Sequence, residues 1–221
     1  MNKKLILKLT LLISIIAPVV SACSQPFTPP PGEVEATEFL GTKLTPISEQ
    51  RTNALKGTQH LDRGTYRLTV DGLVENPLSL SYDDLLSYPT EFRLVSLNCV
   101  EGWGFWAKWT GPRLAGIFAD AKVKPGAKTV IFHCADESGY TSLKLDYILE
   151  KDIIIALKLN DVTLPADRGF PFQVVAEDKF GYKWAKWVTR IELSSEDYQG
   201  YWEKGGYSNE ADVGGPAFES E

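Results

Sequence analysis

The chain is poor in the residues that most often build metal centres, with two histidines and three cysteines in 221 residues. It has no CxxC and no HxxxH pair, so the common zinc-ligand spacings are absent. Positive charge is in deficit too: 23 Lys and Arg stand against 29 Asp and Glu, a net charge of −6. That balance argues against general nucleic-acid binding. The one long apolar run, Leu9 to Val20, falls short of the roughly 20 residues that span a bilayer. No internal repeat is present.

What the N-terminus does contain is a targeting pattern. Lys3, Lys4 and Lys8 precede the apolar run, and VSAC (Val20 to Cys23) follows it. Small residues before a cysteine are what a lipoprotein signal peptidase reads, so residues 1–22 are expected to be removed and Cys23 acylated. An ordinary signal peptide and a short anchor helix are the alternatives. Processing would leave 20 basic against 29 acidic residues, a net charge of −9, on the outer side of a membrane. Residues 23–46, with PFTPPPG, read as a lipid-attached tether, and residues 47–221 as one folded domain. Cys99 and Cys134 then remain, and an even pair in an oxidising compartment reads as a disulfide.

Regular patterning begins near Thr65. Tyr66, Leu68 and Val70 alternate with polar residues up to Asp71-Gly72, which is a strand. Leu78 to Leu80 is a short strand, followed by a helix from Ser81, with Asp84 in an acidic variant of the capping box. Phe92 to Asn98 alternates and delivers Cys99 at a strand end. Gly111-Pro112 opens an amphipathic stretch with Leu114, Ile117 and Phe118 on one face, and Thr129 to Cys134 is another strand. Asp136 to Gly139 reads as a turn and Ile153 to Leu164 as a hairpin around Asn160-Asp161. Phe172 to Ala176 and Trp187 to Leu193 complete the strands. Many strands with few helices indicate an α+β, mixed-sheet domain.

Cys99 sits in SLNCVEGWGFW. A nucleophilic cysteine needs a base, and only His60 and His133 are available. A zinc site would draw on Cys99, Cys134, His133 and His60, but His133 and Cys134 are neighbours on a strand and face opposite ways. In DKFGYKWAKW, Gly181 permits close backbone approach, while Lys179, Lys183 and Lys186 concentrate positive charge. That combination suits a phosphate, although a plain hairpin with solvated lysines has the same composition. LPADRGFPF is by itself a loop, and Trp103, Trp106 and Trp109 read as core more readily than as a binding platform. The aromatics of YWEKGGYSNEADVG argue that the tail packs back onto the domain.

Taken in order, YRLTVDGLVENPLSLSYDDLL, CVEGW with WTGPRLAGIF, LPADRGFPF, FGYKWAKW and GGYSNEAD resemble the molybdopterin-binding domain of the sulfite oxidase family. The nearer likeness is to the branch with the periplasmic methionine sulfoxide reductase catalytic subunit, over about Thr65 to Gly214. The resemblance implies a molybdenum–molybdopterin cofactor, with Cys99 supplying a thiolate to the metal. It implies cofactor contacts from Gly181, Tyr182 and Lys183, with Lys186 in the same segment. Arg168 stands where the branch has an asparagine, and Cys134 where it has a threonine. Tyr207 matches a tyrosine beside the metal, and Glu101 the acid two residues after the ligand. The branch's Asn-rich segment has Asn53, Gln59 and His60 as its nearest counterparts.

The implied activity is two-electron oxygen-atom transfer. Glu101, about 6 Å from a bound anion, would repel it by roughly 3 kcal/mol at an effective dielectric near 20, favouring a neutral S-oxide or N-oxide over sulfite. Electrons would come from a separate protein, by family analogy a membrane haem partner, since no CxxCH is present. A monomer is expected. The alternative is a non-catalytic cell-surface lipoprotein that keeps the fold as a binding module.

Overall fold

The computed structural model describes residues 27–138 and 140–219, so the signal segment and Cys23 lie outside the described residues. In chain order the elements are β1 (Glu38–Phe39), β2 (Thr42–Lys43), β3 (Leu68–Gly72), β4 (Leu78–Leu80), α1 (Tyr82–Leu86), β5 (Thr90–Asn98), β6 (Gly104–Pro112) and α2 (Leu114–Ala121). They continue with β7 (Thr129–Cys134), β8 (Thr141–Lys144), α3 (Leu145–Glu150), β9 (Ile155–Ala156), β10 (Lys158–Leu159), β11 (Val162–Thr163), β12 (Gln173–Val174) and β13 (Val188–Ser194). A five-stranded sheet has the order β4-β3-β13-β7-β8, with β13 parallel to β3 and antiparallel to β7. A four-stranded sheet has the order β11-β10-β6-β5. The class is α+β with a mixed sheet.

Local chemistry accounts for most of these elements. Ser81 caps α1 through a complete capping box with Asp84, as the sequence pattern predicts. Leu114, Ile117 and Phe118 form the buried stripe of α2. Asn160 and Asp161 take positive φ at the β10–β11 turn, a conformation those two residue types tolerate.

Five elements escape the sequence reading: β1 and β2 in the segment read as a tether, and β6, β8 and α3. β6 hides behind its tryptophans, which recur every third residue while a strand alternates every second. Trp109 is therefore fully buried and donates to the Val95 carbonyl, whereas Trp106 points outward, 48% exposed. β8 and α3 lie in a stretch with no turn signal at their junction. The strand expected over Phe172 to Ala176 shrinks to β12, which pairs with β9 on one side and meets Ala185 and Lys186 on the other.

The described part of the Pro-rich segment does not hang free. Phe27 packs against the core, and Glu33 accepts the Thr163 backbone N–H and hydroxyl, both at 2.6 Å. The Ala36 N–H reaches the Asn160 carbonyl, and Leu44 is buried. A tether of free chain requires a solvated backbone, and this backbone is hydrogen-bonded to the domain.

Gly111 marks the tightest packing between β6 and β9, where an added Cβ would stand 1.8 Å from the Ile155 carbonyl oxygen. Gly111→Ala is expected to destabilise the domain by about 3 kcal/mol or more, read as a lowered denaturant midpoint.

Candidate functional site

The β5–β6 hairpin fixes Cys99. Its backbone N–H bonds the Trp103 carbonyl at 2.8 Å, and its carbonyl accepts from Gly102 at 3.0 Å, with Gly102 at φ +83°. The thiol is half-buried and faces an open cavity of about 110 Å³. Burial pushes its pKa up, opposed by the backbone N–H groups of Glu101 and Val100, which point at the sulfur. Cys99 and Cys134 are both free thiols, so the disulfide reading is not realised.

The segment after Phe180 lies against the same strand end. Phe180 bridges Asn98, and a Cβ on Gly181 would meet Leu97 Cδ2 at 3.3 Å and the Asn98 carbonyl oxygen at 3.5 Å. The loop thus lies in van der Waals contact with the Cys99 backbone, and a side chain here would need only a small shift of Leu97. Gly181 and Tyr182 line the cavity, and the Tyr182 hydroxyl donates to the Ser208 carbonyl at 2.7 Å.

Lys183 sits differently from the sequence expectation. It is fully buried and does not line the cavity: its ammonium donates to Glu203 (2.6 Å), Asn209 (2.9 Å) and the Ser142 carbonyl (3.1 Å). Burial depresses its pKa more than Glu203 raises it. Lys179 is likewise committed, to Asp212 at 2.6 Å. Of the three lysines in the motif, Lys186 alone lines the cavity. Its buried ammonium donates to Thr52 Oγ1, Asn53 O and Asp167 O, and burial together with Arg168 lowers its pKa to about 8.

The cavity floor carries unmet polar capacity. Arg168 is 6% exposed and uses one nitrogen on the Ile47 and Gln50 carbonyls, while its Nε and Nη1 have no hydrogen-bond partner among the described residues. The buried Gln173 Oε1 has none either. An orphaned buried donor or acceptor costs roughly 1–3 kcal/mol, and more where charge is involved. Two cationic N–H donors and an amide acceptor, near the charge of the Lys186 ammonium and the Cys99 thiol, match an anionic, heteroaromatic phosphate ester carrying a thiophilic metal. Molybdopterin has that chemistry, and the residues present fit it. A second opening, lined by Cys134, Asp136, Trp187 and Lys186, adjoins the first through Lys186 and Tyr140. Cys134 accepts the Lys186 backbone N–H, and burial raises its pKa.

At the rim, Glu101 accepts from Trp103 Nε1 at 2.7 Å and Asn53 Nδ2 at 3.3 Å, with Arg51 at 3.8 Å. The Trp103 bond is the main reason its carboxyl titrates below the usual range. Arg51 also stacks over Trp103, so the negative rim charge foreseen from Glu101 is partly offset by a cation beside it. Tyr207 lines the cavity and meets the rings of Tyr182 and Trp202 at 5.2 and 5.3 Å.

His60 lies on an exposed loop away from the cavity lining, and Gln59 donates to its own loop carbonyls. His133 faces away from Cys134 and pairs with Glu192 at 2.9 Å. Among the described residues no group of three His, Cys, Asp or Glu could hold a metal, so the zinc alternative has no ligand set. Sequence reasoning missed Arg51, Gln173, Tyr140 and Trp202. Gln173 had a usable signal, as the one amide in the apolar run FQVVA. Trp202 belongs to the aromatic tail read as packing back onto the domain, and Arg51 and Tyr140 had no signal.

Removing one member of a buried ion pair strands its partner. Lys183→Met is expected to cost about 3–5 kcal/mol, and Lys183→Met with Glu203→Met to recover most of it, measured by chemical denaturation.

Comparison with known proteins agrees with this geometry. The family profile described as oxidoreductase molybdopterin-binding domain matches residues 55–202. An uncharacterised oxidoreductase of Bacillus subtilis, YuiH, is 34% identical over 68% of this chain and 76% of its own length. The Campylobacter jejuni protein-methionine-sulfoxide reductase catalytic subunit MsrP is 26% identical over 86% of this chain and 71% of its own. Among solved structures, the sulfane dehydrogenase SoxCD of Paracoccus pantotrophus superposes with a TM-score of 0.67 at 26% identity. That match covers 69% of this chain and 44% of the other. With a matched profile over most of the chain, a free thiol facing the cavity and orphaned buried donors on its floor, this chain belongs to the oxidoreductase molybdopterin-binding domain family and is a molybdopterin-dependent oxidoreductase.

Proposed function

We propose that the enzyme transfers an oxygen atom to or from a neutral S-oxide or N-oxide carrying organic substituents. The observation that carries the assignment is the joint presence in one cavity of the Cys99 thiol and the unpartnered polar atoms of Arg168 and Gln173. When bound, the molybdenum cofactor supplies two-electron redox chemistry with oxygen-atom exchange. The chain's own residues do the rest. Cys99 would contribute a thiolate ligand to that metal. Arg168, Gln173 and Lys186 would hold and orient the pterin and its phosphate, with Gly181 and Tyr182 forming an adjacent wall.

Substrate recognition falls to the rim. Trp103, Trp202, Tyr182 and Tyr207 form aromatic walls, which suit organic substituents on sulfur or nitrogen better than a bare oxyanion. Tyr207 donates a hydrogen bond to the transferring oxygen, and Glu101, balanced by Arg51, keeps the mouth from becoming a strong anion trap. The Campylobacter relative is named for sulfoxide chemistry, which supports the same substrate class. Electrons come from a separate protein. The mature chain sits outside the cytoplasm, held by acyl groups on Cys23, and no helix among the described residues is long and apolar enough to cross a membrane.

Protein purified from a molybdenum-replete native host is expected to hold one molybdenum per chain and to reduce sulfoxides with a reduced dye faster than it oxidises sulfite. Efficient saturable sulfite oxidation contradicts the substrate class, and absence of molybdenum favours a non-catalytic binding module. Tyr207→Phe is expected to lower kcat by about 10²-fold with little change in KM.

A further inference from the structure

Residues 27–46 are bound to the outer face of the four-stranded sheet, where apolar and polar side chains are mixed. Strand alternation puts Phe92, Leu94 and Ser96 of β5 beside Trp106, Lys108 and Thr110 of β6, on the side away from the core. The β1–β2 hairpin covers part of it: the Lys108 ammonium lies 4.7 Å from the Phe39 ring and 4.8 Å from the Phe92 ring. Thr45 donates its backbone N–H to the Trp106 carbonyl at 2.9 Å. Around this hairpin Leu40 is 78% exposed, Phe92 56% and Trp106 48%. Phe92 and Trp106 stand four rungs apart on this face, either side of Lys108, and Leu40 lies at the turn of the hairpin laid over it.

The chain upstream says what covers them. Cys23 and Phe27 are four residues apart, at most about 14 Å at full extension, and Phe27 already packs against the core. The anchor therefore has little free chain. Whatever surface holds the lipid is held close to the globule, on the side where residues 27–46 run. Acyl chains supply the affinity, and interfacial aromatic and apolar side chains, with lysine stems beside them, suit the headgroup boundary.

We propose that residues 27–46 are a docking arm and that the face built from Leu40, Phe92 and Trp106 rests on the lipid bilayer to which Cys23 is anchored. This rests on the lipoprotein reading given above. It fixes the orientation of the enzyme: the β5–β6 hairpin lies along the membrane, with its Cys99 turn and the Arg51–Glu101 rim at one end of it. Such an orientation presents the cavity to a membrane-held electron donor with no search over a long flexible linker.

The test uses the full acylated chain in vesicles of phosphatidylethanolamine and phosphatidylglycerol, with tryptophan quenching by lipids brominated near the headgroup. Mass spectrometry of the N-terminus is run on the same sample. The expected result is an acylated Cys23 and a quenched emission component that is lost in Trp106→Phe, with L40S/F92S reducing the quenching while leaving the fold intact by circular dichroism. An acylated protein whose Trp106 component stays unquenched overturns the docking face and leaves the lipoprotein reading standing. An unmodified Cys23 overturns the lipoprotein reading and this orientation with it. Quenching confined to native membranes and absent from protein-free vesicles assigns the face to a membrane protein instead of to lipid.

Discussion

The Lys183 ammonium has no exposed surface and three oxygen partners, each from a different part of the chain. Ser142 belongs to β8, Glu203 to the turn after Tyr201-Trp202, and Asn209 to the tail. A charge in that setting must be fully coordinated or the structure around it fails, because neither water nor a mobile side chain can replace a lost partner. The other walls of the cavity depend on it. The Lys183 backbone continues into Gly181 and Tyr182 on one side and Trp184 on the other, and its partners Glu203 and Asn209 bracket Tyr207. Thr141 also donates to Glu203, at 2.5 Å, which ties the start of β8 and its neighbour Tyr140 into the same cluster.

Around that anchor the electrostatics divide by depth. The floor is cationic, with Arg168 short of partners, and burial lowers the pKa of Arg168 and Lys186, the latter also through Arg168. An anionic group bound there would meet the free Arg168 donors and offset the charge of the two cations. The rim is nearly neutral because Arg51 accompanies Glu101. Cys99 stands between the two zones, a thiol until a metal draws off its proton, held in place by its own hairpin turn.

Elements whose signals are local were legible in the sequence. The Ser81–Asp84 box, the Leu114–Phe118 stripe and the Asn160-Asp161 turn are each decided within a few residues, and each appears as read. The site was legible in part. Cys99, Gly181, Arg168, Lys186 and Tyr207 share one cavity, whereas Lys183, with the same local charge pattern as Lys186, is turned inward by Glu203. No short-range rule separates those two lysines, since the difference comes from a carboxylate 20 residues downstream. Arg51 and Tyr140 lay in stretches with no pattern and became meaningful once β5, β6 and β8 met. The Pro-rich arm reads as a linker by composition, and its docking depends on Glu33 and Glu35 finding Thr163 and Asn160 some 125 to 130 residues away.

The account stands on Cys99 as the protein's ligand to the metal in a cavity shaped for a pterin. X-ray absorption at the molybdenum edge tests that directly, comparing native protein with Cys99→Ser prepared so that the cofactor is retained. The expected result is three sulfur neighbours around molybdenum in the native protein and two in the variant. An unchanged sulfur count would contradict the assignment of Cys99 and, with it, the reading of the cavity built around its thiol.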